Sequence, residues 1–157
     1  MTQPYEPTPP STAAEALESL KSLPSFEDTQ ARVQDAMNEI VRAATDLIPS
    51  IAWQTADNAD TGKCPKPYDQ SDGRSSYLAN RFAEDLSISE EQWAGIQQAA
   101  RAAAARIDAT EVQVMHDGPG DHDVGFYGPA GVFVKVSYAG NLVVAGYTGC
   151  RLPSDGS

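Results

Sequence analysis

The stretch that decides the fold is EVQVMHDGPGDHDVGFYGPAGVFVKVSYAGNLVVAGYT, residues 111–148. Its apolar residues recur with a period of two. Val112 and Val114 alternate with Glu111, Gln113 and Met115, the pattern of a strand whose side chains point to opposite faces in turn. His122–Tyr127 reads as a second strand. Val132–Tyr138 is a third, with Val132, Val134 and Val136 facing one way, and Leu142–Thr148 is a fourth. Gly128-Pro129-Ala130-Gly131 and Ala139-Gly140-Asn141 are turns, rich in residues that tolerate positive φ or fix it. Connections this short join antiparallel neighbours, so the four strands form a meander.

Upstream of this stretch the period lengthens. Val33, Met37, Ile40, Val41, Ala44, Leu47 and Ile48 form an amphipathic stripe, opened by an N-cap at Ser25 with Asp28 three residues on and closed by Pro49. Ser89 with Gln92 is a capping box. Ile88 and Trp93 are placed for a hydrophobic staple, and Trp93, Ile96, Ala100, Ala103, Ala104 and Ile107 make the buried face of that helix. A shorter helix is expected from Thr12, with Glu15 completing a capping box and Pro24 as the stop. Ile51–Thr55 reads as an added strand, and part of Tyr77–Phe82 as either a strand or a helical turn. Helices first and strands afterwards give an α+β fold in two layers. An antiparallel sheet of about four to six strands, ending in the meander, packs against the N-terminal and central helices.

The ends and the charge set the setting. Residues 1–11 carry Pro4, Pro7, Pro9 and Pro10 and are expected to be an extended, disordered spacer. Residues 12–152 are the folded domain and 153–157 a loose tail. No apolar export signal stands before the spacer, so the chain is either cytosolic or a mature form whose signal is missing. The 157 residues hold 22 acidic and 11 basic side chains, a formal net charge of −11. Such a balance argues against nucleic acid or an anionic membrane surface as partner, since both need basic patches.

Cys64 lies in the polar loop Asp57–Ser76, and Cys150 closes the last strand. They are placed for a bridge across most of the domain, which would imply an oxidising compartment outside the cytoplasmic membrane. Two unrelated reduced thiols are the alternative. Without paired CxxC spacing they do not make a zinc site. Both histidines of the protein sit in the cluster His116, Asp117, Asp121, His122, Asp123, where His and Asp could hold a divalent metal, although Gly118-Pro119-Gly120 between them is an ordinary turn. Asp57, Asp60, Asp69 and Asp72 lack the alternation, glycine and terminal glutamate of a calcium loop. No Gly-x-Ser-x-Gly elbow, P-loop or Gly-x-Gly-x-x-Gly occurs, so neither a serine nucleophile nor a cofactor is expected. Trp53, Tyr77 and Tyr127 are candidate recognition residues if exposed.

The ordered set of elements resembles the LppA-type lipoproteins of mycobacteria and related actinobacteria. It comprises the helix ending Ile48-Pro49, Trp53, the acidic loop with Cys64, and Arg74. Phe82, the Ser89-Glu90 helix start and the alanine-rich helix follow, then Asp121-His122-Asp123-Val124 and the closing Thr148-Gly149-Cys150-Arg151-Leu152. The resemblance implies export, a lipidated N-terminal cysteine, a Cys64–Cys150 bridge, a compact α+β domain and no established activity. Met1 stands where the family carries the lipidated cysteine, and the proline-rich spacer becomes the tether. The function expected is a non-catalytic, membrane-anchored domain of the cell envelope that binds an envelope protein or an apolar ligand. A metal-assisted hydrolase using His116 and His122, or a structural, surface-shielding role, stand as alternatives.

Overall fold

The computed structural model describes residues 6–154. Among them the helices are α1 (Pro10–Lys21), α2 (Phe26–Leu47) and α3 (Glu90–Ala105). The strands are β1 (Gln54–Thr55), β2 (Asp60–Lys63), β3 (Arg74–Tyr77), β4 (Arg81–Ala83), β5 (Glu111–Gly118), β6 (Asp121–Tyr127), β7 (Phe133–Tyr138) and β8 (Leu142–Tyr147). The fold is α+β, with an antiparallel open sheet under a helical layer, as the periodicity implies.

Local chemistry sets the helices. Ser25 accepts from the Asp28 amide and opens α2, while Ser89 and Gln92 form the reciprocal capping box of α3. Val33, Met37, Ile40 and Ala44 of α2 and Ile96, Ala100, Ala103 and Ala104 of α3 are wholly buried. The alanines, and Gly95 beneath the Leu47 side chain, let the two helices approach closely. Helix α1 begins differently from expectation. Thr12 caps nothing; Pro9 is the N-cap and Pro10 the first helical residue. Proline fits there because that N–H would have no partner in any case and its φ is already helical. Part of the expected spacer therefore lies against the domain: Thr8 is buried and donates its amide to Asp69 at 3.2 Å.

The sheet runs β1-β4-β8-β7-β6-β5, with β2 and β3 off the main path. β5 to β8 are the expected meander. The additional strands exceed the expected count. β4 pairs with the Leu142–Val144 half of β8, and Tyr77 of β3 pairs with Tyr147 at its other end. Tyr77–Phe82 is thus two strand ends around a bend rather than a helical turn, and only Gln54–Thr55 of the expected Ile51–Thr55 strand pairs. The polar loop holds a hairpin of its own, β2 with β3.

Alternation then assigns the faces. Val124, Phe126, Val134, Val136, Leu142 and Val144 point toward the helices and are buried. Gly146 lies so close beneath α2 that a Cβ there would stand 2.7 Å from the Met37 sulfur and from Val33 Cγ1. The outermost strand, β5, departs from its half-buried reading. Val112, Val114 and Met115 are exposed, because α3 packs over β6 and β7, and a bulge breaks the register between Val114 and His116.

Candidate functional site

Three arrangements concentrate polar or aromatic chemistry. The first is the histidine cluster, which the register divides. Asp117 pairs with His122, and His116 pairs with Asp123, so the two couples point to opposite faces of the hairpin. His122 is buried against α3, its ring stacked on Trp93 at 4.7 Å and 9°. Nδ1 lies 3.2 Å from Asp117 Oδ1, and Nε2 lies 2.9 Å from Glu90 Oε1. The His122 ring, followed by the Gly120 amide, holds the Glu90 carboxyl below the ordinary carboxylate value. This clamp ties the tip of the β5–β6 hairpin to the first turn of α3. The convergence of His116 with His122 that a hydrolase would need is not made. Among the described residues no group of three or more His, Cys, Asp or Glu side chains is placed to hold a metal. Of the acidic loop residues, Asp69 is engaged by Thr8.

The second arrangement lies on the sheet face turned away from the helices. Tyr127 pairs with Phe133, Phe133 with Tyr147, and Tyr147 with Tyr77, which makes one row of four aromatic side chains across β6, β7, β8 and β3. Successive ring centroids are 5.4, 5.4 and 4.4 Å apart. Gly125 leaves room for the Tyr127 ring: a Cβ there would sit 2.7 Å from its Cε2. Tyr77 is 47% exposed and the other three are half-buried. Lys135 and Asp123, paired at 3.8 Å, flank the row on the same face. Two of the three candidate recognition residues, Tyr77 and Tyr127, therefore stand together. Trp53 stands apart, its indole N–H donating to Thr45 Oγ1 at 2.9 Å and its ring under the Arg81 guanidinium. Phe133 and Tyr147 were not singled out from the sequence. The signal for them existed. Once the turns are centred near Ala130 and Gly140, residues 127 and 133 fall opposite each other, and so do 133 and 147.

The third is the disulfide. Cys64 and Cys150 are bonded, with a Cα–Cα distance of 5.5 Å. Leu20 of α1 packs on the bridge, and Gly73 passes so near that a Cβ would come 2.5 Å from the Cys150 sulfur. The surface carries open grooves: one of about 530 Å³ is lined by Ala31, Ala59, Tyr77 and Leu78 among others, and one of about 560 Å³ by Lys63, Asp69, Asp72 and Arg74 among others.

A helix-covered antiparallel sheet closed by one bridge, with no assembled catalytic set among the described residues, defines a domain whose class is settled by comparison. The sequence model of the LppA family, described as a lipoprotein confined to pathogenic Mycobacterium, matches residues 1–154, and the chain belongs to that family. Its fold is that of LppA from Mycobacterium tuberculosis, whose crystal structure superposes with a TM-score of 0.68 at 16% identity, covering 92% of this chain and 89% of the other. The crystal structure of a DUF4853 family protein from Actinomyces odontolyticus is similar at a TM-score of 0.52 and 13% identity, covering 86% and 73%. No curated protein matches.

Proposed function

We propose that this chain is the folded domain of an exported lipoprotein. Lipid at its N-terminal end holds it at the outer side of the cytoplasmic membrane, and it serves there as a non-catalytic binding module. Membership of a lipoprotein family supports the anchor, and the Cys64–Cys150 bridge supports an oxidising compartment. The observation that carries the binding reading is the row Tyr127, Phe133, Tyr147 and Tyr77 on the uncovered sheet face. A domain gains little by leaving one ring of the row exposed and three only half-buried, whereas aromatic side chains anchor interfaces well. Rings set in a row along one sheet face, rather than lining a concave pocket, favour an envelope protein over a small apolar ligand as the partner.

The test uses the protein immobilised through its N-terminal end, wild type against Phe133→Asp and Tyr147→Asp, challenged with envelope extract. A component retained by the wild type and lost by both variants, with their circular dichroism unchanged, is the expected result. Equal retention by all three proteins would remove the row from the function.

A further inference from the structure

A second, smaller site lies where α2, the end of α3, the 129–131 turn and Arg151, next to the disulfide, meet. Leu23, Pro24, Ile107 and Pro129 wall a cavity of about 20 Å³, into which Thr29, Arg32, Asp108 and Arg151 also face. That volume holds one water-sized body. Two polar atoms at this cavity are buried and lack a hydrogen-bond partner: Thr29 Oγ1 and Arg151 Nε. The residues are 4% and 3% exposed.

Arg151 is an unusual guanidinium. Its Nη1 donates to the carbonyls of Pro129 and Cys150, at 3.0 and 2.8 Å, and among the described residues no carboxylate forms an ion pair with it. A buried cation left so is costly, since backbone carbonyls solvate it without neutralising it. Tyr68, and after it the exposed carboxylate of Asp108 at the same cavity, act on it through space and offset part of that cost. Burial lowers the Arg151 pKa from the ordinary arginine value, the direction expected where the charge is under-compensated. Arg32 adds a second positive charge at the rim. Thr29 stands in the first turns of α2, near the positive end of the helix.

We infer that this cavity binds a single small monovalent anion of halide size, which accepts from Arg151 Nε–H and Thr29 Oγ–H together. One acceptor with a full negative charge satisfies both unpartnered donors and adds the close counter-charge that Tyr68 and Asp108, acting through space, do not supply. The anion would then cross-link α2 to the C-terminal segment beside the disulfide, so that occupancy is read as stability.

The experiment measures thermal unfolding in sodium chloride against sodium gluconate, whose anion is too large for the cavity, at equal ionic strength. Chloride is expected to raise the midpoint by about 5 °C at roughly fifteen times its Kd, as a ligand of the native state does. Broadening of the 35Cl resonance by the protein should run in parallel. Thr29→Val keeps the shape, folds, and should lose both effects; Arg151→Met should lose them as well if it folds. Equal midpoints in the two salts without 35Cl broadening would mean that a water fills the cavity, and would overturn the inference. A chloride effect undiminished in Thr29→Val would place the anion elsewhere and overturn it too.

Discussion

Reducing the Cys64–Cys150 bridge should cost the protein a large part of its stability without abolishing the fold. The bridge closes a loop across a sequence separation of 86 residues. On the chain-entropy estimate, opening a loop of that length frees the unfolded ensemble by about 4.5 kcal/mol at 25 °C. A domain of this size is stable by roughly 5–15 kcal/mol, so the reduced protein should remain folded at room temperature with a thin margin. With an unfolding entropy proportional to chain length, the same loss lowers the melting temperature by about 14 °C. The assay is urea unfolding followed by circular dichroism, with and without a phosphine reductant, and a parallel measurement on Cys64→Ala/Cys150→Ala. Reduction should lower the midpoint and raise the slope, because the opened unfolded chain exposes more surface. The double alanine variant should lose somewhat more, since both cysteines are buried and help pack Leu20. An unchanged midpoint on reduction would refute the entropic reasoning. A loss confined to the alanine variant would show that packing, and not the covalent link, is what matters.

Other consequences are open to simpler measurements. Gly146→Val should destabilise by about 1–3 kcal/mol in chemical denaturation, because its side chain has no space beneath Met37 and Val33. Ser89→Ala should cost about 1 kcal/mol by removing the α3 cap, read as a lower urea midpoint. The Glu90 carboxyl titrates below its ordinary value in the folded state, so its contribution is present above about pH 4.5 and lost as the pH falls through the lower folded value. A melting-temperature series from pH 2.5 to 6 should therefore show a shallower acid limb for Glu90→Gln than for the wild type. Trp53→Phe should cost about 1 kcal/mol, the usual worth of one hydrogen bond, here the one to Thr45.

Much of the architecture was legible because it rests on local rules. The α2 stripe, the Ser25 and Ser89 caps and the four-strand meander each follow from periodicity and turn chemistry within a few residues. What stayed hidden depends on contacts between distant segments. β2, with the sequence Asp-Thr-Gly-Lys and every residue exposed, has no apolar period to announce it; β3 and the bridge position it. The start of α1 at Pro10 was concealed because a run of prolines reads as extended unless the last of them occupies the first helical position. Tyr77 and Tyr127 drew notice one by one, but their union through Phe133 and Tyr147 needs the register of four strands. The His122 clamp needs Glu90, which lies 32 residues earlier and enters the sequence reading only as part of the Ser89-Glu90 helix start. The division of His116 from His122 turns on the bulge at Met115, and no composition or spacing rule places a bulge.

The position of the disulfide also governs how the molecule would bear load. A domain hung from a membrane by its N-terminal end and gripped by a partner on its sheet is under tension whenever the two surfaces move apart. Residues 64–150 form a covalent ring that contains α3 and the whole meander, whereas α1, α2 and the tether lie outside it. Tension could peel the two N-terminal helices from the sheet, but it could not draw out the ring, which would otherwise release about 290 Å of chain. The whole aromatic row, Tyr77 on β3 included, lies on strands inside the ring. Under the proposed function, the gripping surface is thus mounted on the part of the protein that cannot be unravelled, and the yielding part is the segment nearest the anchor.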